Sequence, residues 1–276
     1  GNDSSGNWNY TGVNSFVVNN SAPNVSTVTL NATSTSNLTT DNLTGFVTAT
    51  DADSDNITYA YNWYKNDTLN ATSLITSGLV SYYPLNNDTL DYYGSNDGTA
   101  TGAVRNTTSY AIGGSYSFDG DDYINTTYMS NFGSILGDGS SFAFWQKTII
   151  TTEQGYWGAL NSGNHFIQLS QNEGNSAGYL RAYFRDNSGS ILDARVNSDT
   201  GTTDGEWHYV VFVCNDASSN DVDIYVDGVS QTVAYTQSQS PSNFVNFDYA
   251  PYIGARNSRG STAIAYTGSL DEVQIW

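Results

Sequence analysis

The chain has 276 residues, a formal charge of −19 and only eight Lys and Arg. That balance argues against nucleic acid and anionic membrane as partners, since both need a basic face, and it fits cations, a salty medium or simple solubility. Tyr (21 residues) and Gly (26) are abundant, whereas only two lysines and four glutamates occur, a composition of strands and turns, not helices. Cys214 stands alone, so no intrachain disulfide can form, and no apolar run approaches the ~20 residues of a membrane helix. No signal peptide is visible, although a mature secreted chain would have lost one.

Residues 1–22 open with turn-forming residues and carry one strand-like piece, Val13-Asn-Ser-Phe16-Val17-Val18, stopped by Ser21-Ala-Pro23. Val25–Leu30, Leu43–Thr50 and Ile57–Lys65 follow as strand candidates between Ser/Thr/Asn turns. In the last of these, Tyr59, Tyr61 and Trp63 fall on one face. The loop between the last two is Asp51-Ala-Asp53-Ser-Asp55. From Gly78 the pattern changes, and Leu79–Leu85, Gly114–Ile124 and Ser141–Trp145 read as further strands or strand–turn units. Asp204–Val233 is the most explicit stretch. His208–Cys214 reads as a buried strand, Val222–Val226 alternates apolar with polar, and Asp227-Gly228 is a tight-turn signal after which Val229–Val233 starts back. Cys214 belongs to that apolar run and reads as a buried, inert thiol.

Asn-x-Ser/Thr occurs at Asn2, Asn9, Asn19, Asn24, Asn31, Asn37, Asn42, Asn56, Asn66, Asn70, Asn87, Asn106 and Asn125, and never after that. Asn/Thr richness in turns is one explanation. N-glycan acceptors on an exposed surface protein is the one favoured here. Many acceptors with a single Cys suit a prokaryotic, archaeal-type cell surface.

SAPNVSTVTL followed by GFVTATDADSDNITYAYNWYKN resembles the first half of an immunoglobulin-like repeat of microbial surface proteins, over residues 23–77. About seven strands make such a sandwich, and this segment offers three or four. From 78 to 276 the ordered set LVSYYPL, DYYGSNDG, GSYSFDGDDYI, SFAFW, the 204–233 meander, YIGA and GSLDEVQIW resembles the laminin-G-like jelly roll of the concanavalin A-like lectin/glucanase superfamily. That resemblance implies a β-sandwich whose first and last strands, Leu79–Leu85 and Leu270–Trp276, lie side by side.

It also implies a calcium ion near Asp119-Gly-Asp121-Asp122, Asp271 and the Asp91 loop, with Asp122 and Asp271 as the leading side chains. Calcium takes six to eight oxygens, and the competing reading is that Asp-Gly merely makes a turn. Asp51, Asp53 and Asp55 form a second candidate, with EF-hand-like spacing but no Gly at the sixth position and no Glu at the twelfth. One Cys and two distant His exclude a closed zinc site. Gly174-Asn-Ser176-Ala-Gly178 fits G-x-S-x-G only literally, in a polar hairpin loop and not a strand-to-helix elbow. No carboxylate triplet of a glycosidase occurs among the isolated glutamates. His165 has no base-orienting partner in sequence, and His208 reads as structural. Tyr156-Trp157, Trp145 and Tyr82/Tyr83 are candidates for a sugar-binding platform, although aromatics at strand spacing are more often core.

The expected protein is therefore a non-enzymatic, secreted or cell-surface protein, structural or adhesive. In its sharper form it is a filament subunit, with Val13, Phe16, Val17 and Val18 completing the open sandwich of the next copy head-to-tail. The competing expectation is a carbohydrate-binding accessory module of a secreted enzyme or adhesin, with glycans as partners.

Overall fold

A computed structural model of the protein describes residues 24–32, 43–52, 62–65, 68–72, 78–126, 139–161, 165–172, 177–244 and 248–276. The strands in order are β1 (Asn24–Ala32), β2 (Leu43–Thr50), β3 (Asn62–Lys65), β4 (Thr68–Thr72), β5 (Ser81–Tyr83), β6 (Thr99–Thr101), β7 (Val104–Asn106) and β8 (Ser115–Asp119). Then come β9 (Tyr123–Asn125), β10 (Ser140–Lys147), β11 (Gln154–Leu160), β12 (Phe166–Gln171), β13 (Leu180–Arg185), β14 (Ile191–Val196), β15 (His208–Asp216) and β16 (Asp221–Val226). The last are β17 (Val229–Ser230), β18 (Val233–Ser238), β19 (Tyr252–Ile253), β20 (Arg256–Ser258), β21 (Ser261–Ala263) and β22 (Thr267–Ile275). The described residues are all-β apart from one 3-10 turn, Ala217–Ser219. Two compact units divide the chain, one built on β1 and β2 and the other on the strands from β3 onward.

In the first unit β1 and β2 pair antiparallel, with a bulge between Val25 and Thr27. The extra residue resets the side-chain alternation, so Val25, Val28 and Leu30 share a face although their spacing is not uniformly even. All three are exposed, Val28 at 71%. β3 and β4 form a separate two-stranded sheet. Val13–Val18, Tyr59 and Tyr61 lie outside the described residues.

The second unit is a sandwich. One sheet runs β17-β16-β15-β10-β22-β8-β7, with β5 also on β22; the other runs β18-β14-β13-β12-β11-β19-β9-β6, with β20 on β11 and β21 on β20. Period-two patterning makes the core: Phe142 and Phe144 of β10, Val210, Phe212 and Cys214 of β15, and Val222, Ile224 and Val226 of β16 meet Ile167, Leu169, Leu180, Ala182, Phe184, Leu192, Ala194 and Val196. Asp227 (φ 51) and Gly228 (φ 78) both occupy the left-handed region of a two-residue hairpin, as the Asp-Gly signal predicts. β17 is only two residues long, and the chain then crosses to pair β18 with β14 in the other sheet. The third strand of the meander is thus shorter than its sequence suggests.

β22 organises the molecule. One edge pairs with β10; the other pairs with β8 at Thr267–Leu270 and with β5 at Val273–Ile275. The expected side-by-side packing of the first and last strands of this unit is present. Asp271 and Glu272 do not begin the strand, as their sequence position suggests, because Thr267–Leu270 already pair with Tyr116–Asp119. They sit mid-strand, at the seam where the partner changes from β8 to β5, and Glu272 is left-handed (φ 52). The register shift there is what allows Leu270 and Val273, three residues apart, both to face the core.

Candidate functional site

Each strand of the sandwich has a second face, and that of the ten-stranded sheet is not an ordinary wet surface. β12 turns Ile167 and Leu169 inward, so Phe166, Gln168 and Ser170 point the other way; on β13 the outward residues are Arg181, Tyr183 and Arg185, and on β14 they are Asp193 and Arg195. Cross-strand register sets Ser170 beside Arg181, Gln168 beside Tyr183 and Phe166 beside Arg185, then Arg181 beside Arg195 and Tyr183 beside Asp193. Arg256 of β20 reaches the same face, 4.8 Å over the Phe166 ring, and its Nη1 donates to Gln168 Oε1 at 2.8 Å.

A guanidinium–aromatic layer results. Arg181 lies 4.5 Å over Tyr183, whose ring is 4.9 Å from Phe166. Asp193 is 2% exposed and accepts from Nε and Nη2 of Arg181 (2.8 and 3.0 Å), Nε and Nη2 of Arg195 (3.0 and 2.6 Å) and Thr236 Oγ1 (2.7 Å). Burial alone would push its carboxyl up; the donors of Arg195, Arg181 and Thr236 outweigh that and hold it at about 2. Asp193 is thus locked as an anion, the opposite of a general acid. Burial lowers the Arg256 guanidinium, with Glu153 opposing. Beside this layer is a cavity of about 300 Å³, lined by Tyr179, Arg181, Arg195, Asn197, Ala234 and Thr236 among others, at the small end of ligand sites.

The predicted sites fall elsewhere. Asp119, Asp121 and Asp122 come together in the β8–β9 turn, with one oxygen from each within 4.8 Å of the others. Asp121 is raised by a shared hydrogen bond and charge with Asp119. Asp122 is raised by burial first, its Oδ2 accepting from Asp119 N. Crowded hard oxygens of this kind fit a calcium ion. Asp91 is not in that cluster: its Oδ1 accepts from the amides of Tyr82, Tyr93 and Gly94, and its Oδ2 from Asn96. It anchors its own loop. Asp271 is also apart, four residues along β22 from the position facing Asp119, about 13 Å at strand rise. Its Oδ2 accepts from Ala111 and Ile112 N, while Tyr82 Oη donates to Glu272 Oε2 at 2.6 Å. Burial raises Asp271 to about 8 and Glu272 to about 7. Asp53, Asp55 and Ser176 lie outside the described residues.

Tyr83, Tyr156 and Trp157 are core, whereas Trp145 and Tyr82 are half-buried. Cys214 is buried and its thiol is pushed up to about 12, chiefly by burial. His208 bridges Asp227 Oδ2 (2.8 Å) and Asp204 Oδ1 (3.1 Å). His165 is buried against Phe244 and driven down to about 4, mainly by burial. The sequence reading missed Arg181, Arg195, Arg256, Gln168, Phe166 and Tyr183. Their signal is scarcity: five of the chain's six arginines fall between residues 181 and 259.

The fold and this face define a two-sheet β-sandwich of the lectin-like class. A family model described as the concanavalin A-like lectin/glucanases superfamily matches residues 118–276, more than half the chain, and the protein belongs to that superfamily. Among solved structures, the binding domain of Paraclostridial Mosquitocidal Protein 1 is similar at 12% identity and TM-score 0.53, over 72% of this chain and 48% of that one. The receptor-binding domain of botulinum neurotoxin mosaic serotype C/D is similar at 14% identity and TM-score 0.50, over 72% and 47%. The Ruminococcus gnavus IT-sialidase CBM40 shows 12% identity and TM-score 0.45, over 64% and 90%. The chain spans about half the length of the two toxin domains, and at these identities the likeness is one of fold. No curated protein sequence matches, and among the described residues no helix is long and apolar enough to cross a membrane.

Proposed function

We propose that the protein is an extracellular, non-catalytic sugar-binding module whose binding surface is the outer face of β12, β13 and β14. The observation that carries this reading is the guanidinium–aromatic layer beside a cavity of about 300 Å³. Rings supply flat apolar area and forked guanidiniums supply directed donors, the pairing a hydroxylated ring requires. Membership of a lectin-containing superfamily supports the class, and fold alone does not set the ligand. The test is retention on immobilised oligosaccharides by the full chain and by Tyr183→Ala. The reading expects retention for the parent and loss of at least tenfold for the variant; a parent that passes every sugar unretarded ends it.

Calcium is proposed as a bound cation, held by Asp119, Asp121 and Asp122, where it would neutralise a turn crowded with charge. Calorimetric titration with calcium should show one site, abolished in Asp122→Asn. The second reading, strand-complemented filaments, is favoured by one observation: among the described residues β1 and β2 form a two-stranded sheet with Val25, Val28 and Leu30 exposed, an apolar face that a strand from another copy would cover. Negative-stain microscopy of the full chain beside a version lacking residues 1–21 decides it, since filaments must form in the first and vanish in the second.

A further inference from the structure

The sugar-binding face has an imbalance of donors over acceptors. Its acceptors are spent internally: both oxygens of Asp193 take five donors, and Gln168 Oε1 takes Arg256 Nη1. Its donors are not. Gln168 Nε2, Arg185 Nε and Arg256 Nε are buried atoms without a hydrogen-bond partner among the described residues, as is the Ser170 hydroxyl. Gln168 is 1% exposed and Ser170 0%, so open solvent does not satisfy them. The strand alternation that puts Ile167 and Leu169 in the core places Gln168 and Ser170 on the face that carries the arginines.

Charge points the same way. In a chain of net −19 with six arginines, Arg181, Arg185, Arg195 and Arg256 share this one face. A neutral sugar hydroxyl both donates and accepts, and here it would find few acceptors. An oxyanion only accepts, with lone pairs enough for several N–H groups. Arg256 is the best placed of the four to meet it. It is partly desolvated, seated on the Phe166 ring and held through Gln168, and guanidinium is the side chain suited to forked recognition of oxyanions.

We propose that this face selects acidic sugars, taking the carboxylate or sulfate of a single residue at the Arg256 guanidinium, with Gln168 Nε2 beside it. The proposal rests on the reading of this face as the sugar-binding surface. Asp193 holds the neighbouring Arg181 and Arg195 guanidiniums in register.

The test is an array in which each acidic oligosaccharide is printed beside its neutral counterpart, the methyl ester for a uronic or sialic acid and the desulfated form for a sulfate. The full-length parent is compared with Arg256→Gln and Arg256→Lys, each checked for an unchanged melting temperature. Selectivity predicts that acidic members bind at least tenfold more tightly than their partners, and that raising salt from 50 to 500 mM weakens them. It also predicts that Arg256→Gln loses the preference while Arg256→Lys keeps part of it. Carboxylates retained without sulfates, or the reverse, identify the anion. Equal binding of acidic and neutral partners overturns the acidic selectivity and leaves the sugar-binding reading standing. Binding of no member overturns both. An Arg256→Gln protein that keeps the full preference overturns the assignment of the anion to this residue.

Discussion

Asp271→Asn should stabilise the protein at alkaline pH. In the native state Asp271 is buried at the β8/β5 seam and raised to about 8, first by burial and then by the Glu272 charge, against the pull of the Ile112 and Ala111 amides. An unfolded Asp ionises near its ordinary 3.8. Between those values the native state binds a proton that the unfolded state has lost, so stability falls as pH rises through this window. Each pH unit well below 8 costs about 1.4 kcal/mol for one such group, and the native acid is half ionised by pH 8, hence roughly 2.3 kcal/mol between pH 6 and 8. For a domain of this size that is about 5–10 °C of melting temperature. Asparagine keeps an oxygen for the Ala111 and Ile112 amides and removes the titration. The assay is thermal unfolding of both proteins at half-unit steps from pH 5 to 8.5. The variant should lose less melting temperature than the parent between pH 6 and 8, with the curves converging toward pH 5. Parallel curves, or a variant that falls faster, would refute the idea that the parent carries a buried neutral acid there.

His208 predicts a different pH response. Burial opposes its imidazolium, but the hydrogen bonds it donates to Asp227 and Asp204 outweigh that and raise it above the ordinary 6.5. Its stabilisation is complete below about 6.5 and is lost as pH rises through the raised native value; His208→Gln should therefore lower the melting temperature at pH 5.5 and much less at pH 8.5. Gly254→Ala should cost far more than Gly228→Ala, although both have positive φ. An added Cβ at Gly254 meets the Phe118 ring at 2.3 Å whereas at Gly228 it meets nothing, so calorimetry should show about 1 kcal/mol for the open turn and at least ~3 kcal/mol for the packed one. If the sequons are used, peptide mass spectrometry of the native protein should find glycans at the exposed Asn24, Asn31, Asn87 and Asn125 and none at Asn106, whose Nδ2 donates to Ser117 Oγ.

The core of the sandwich was legible because alternation reports burial directly. His208–Cys214, Val222–Val226 and Asp227-Gly228 each carry their conformation in local chemistry, and all three appear where the sequence places them. The seam on β22 was not legible. A bulge at Asp271–Glu272 depends on two different edge partners, β8 and β5, supplied from more than a hundred residues upstream, and no local pattern announces it. For the same reason Asp271 reads in sequence as a surface ligand, when it is a buried acid tied to the Ala111–Ile112 amides. Asp91 misleads in a related way. Acidic residues in turns look alike whether they wait for a cation or, as here, accept three amides of their own loop and one of β5.

The guanidinium layer was hidden for a further reason. RAYFR and LDAR read as ordinary amphipathic strands, and in a one-sided sheet the polar set would simply face water. Only register turns them into a site, by bringing Ser170, Arg181 and Arg195 into one row and Gln168, Tyr183 and Asp193 into the next. The inward residues of these strands, Ile167, Leu169, Leu180, Ala182, Leu192 and Ala194, can exchange with others of similar volume without altering the fold. The outward residues pack on one another instead, Arg181 on Tyr183 and Arg256 on Phe166. A buried Asp193 bound by two arginines, and donors such as Gln168 Nε2 left unsatisfied, are therefore poorly explained by stability, since replacing a buried ion network with apolar side chains is often neutral or stabilising. The proposed anionic ligand would supply those donors with the acceptor they lack.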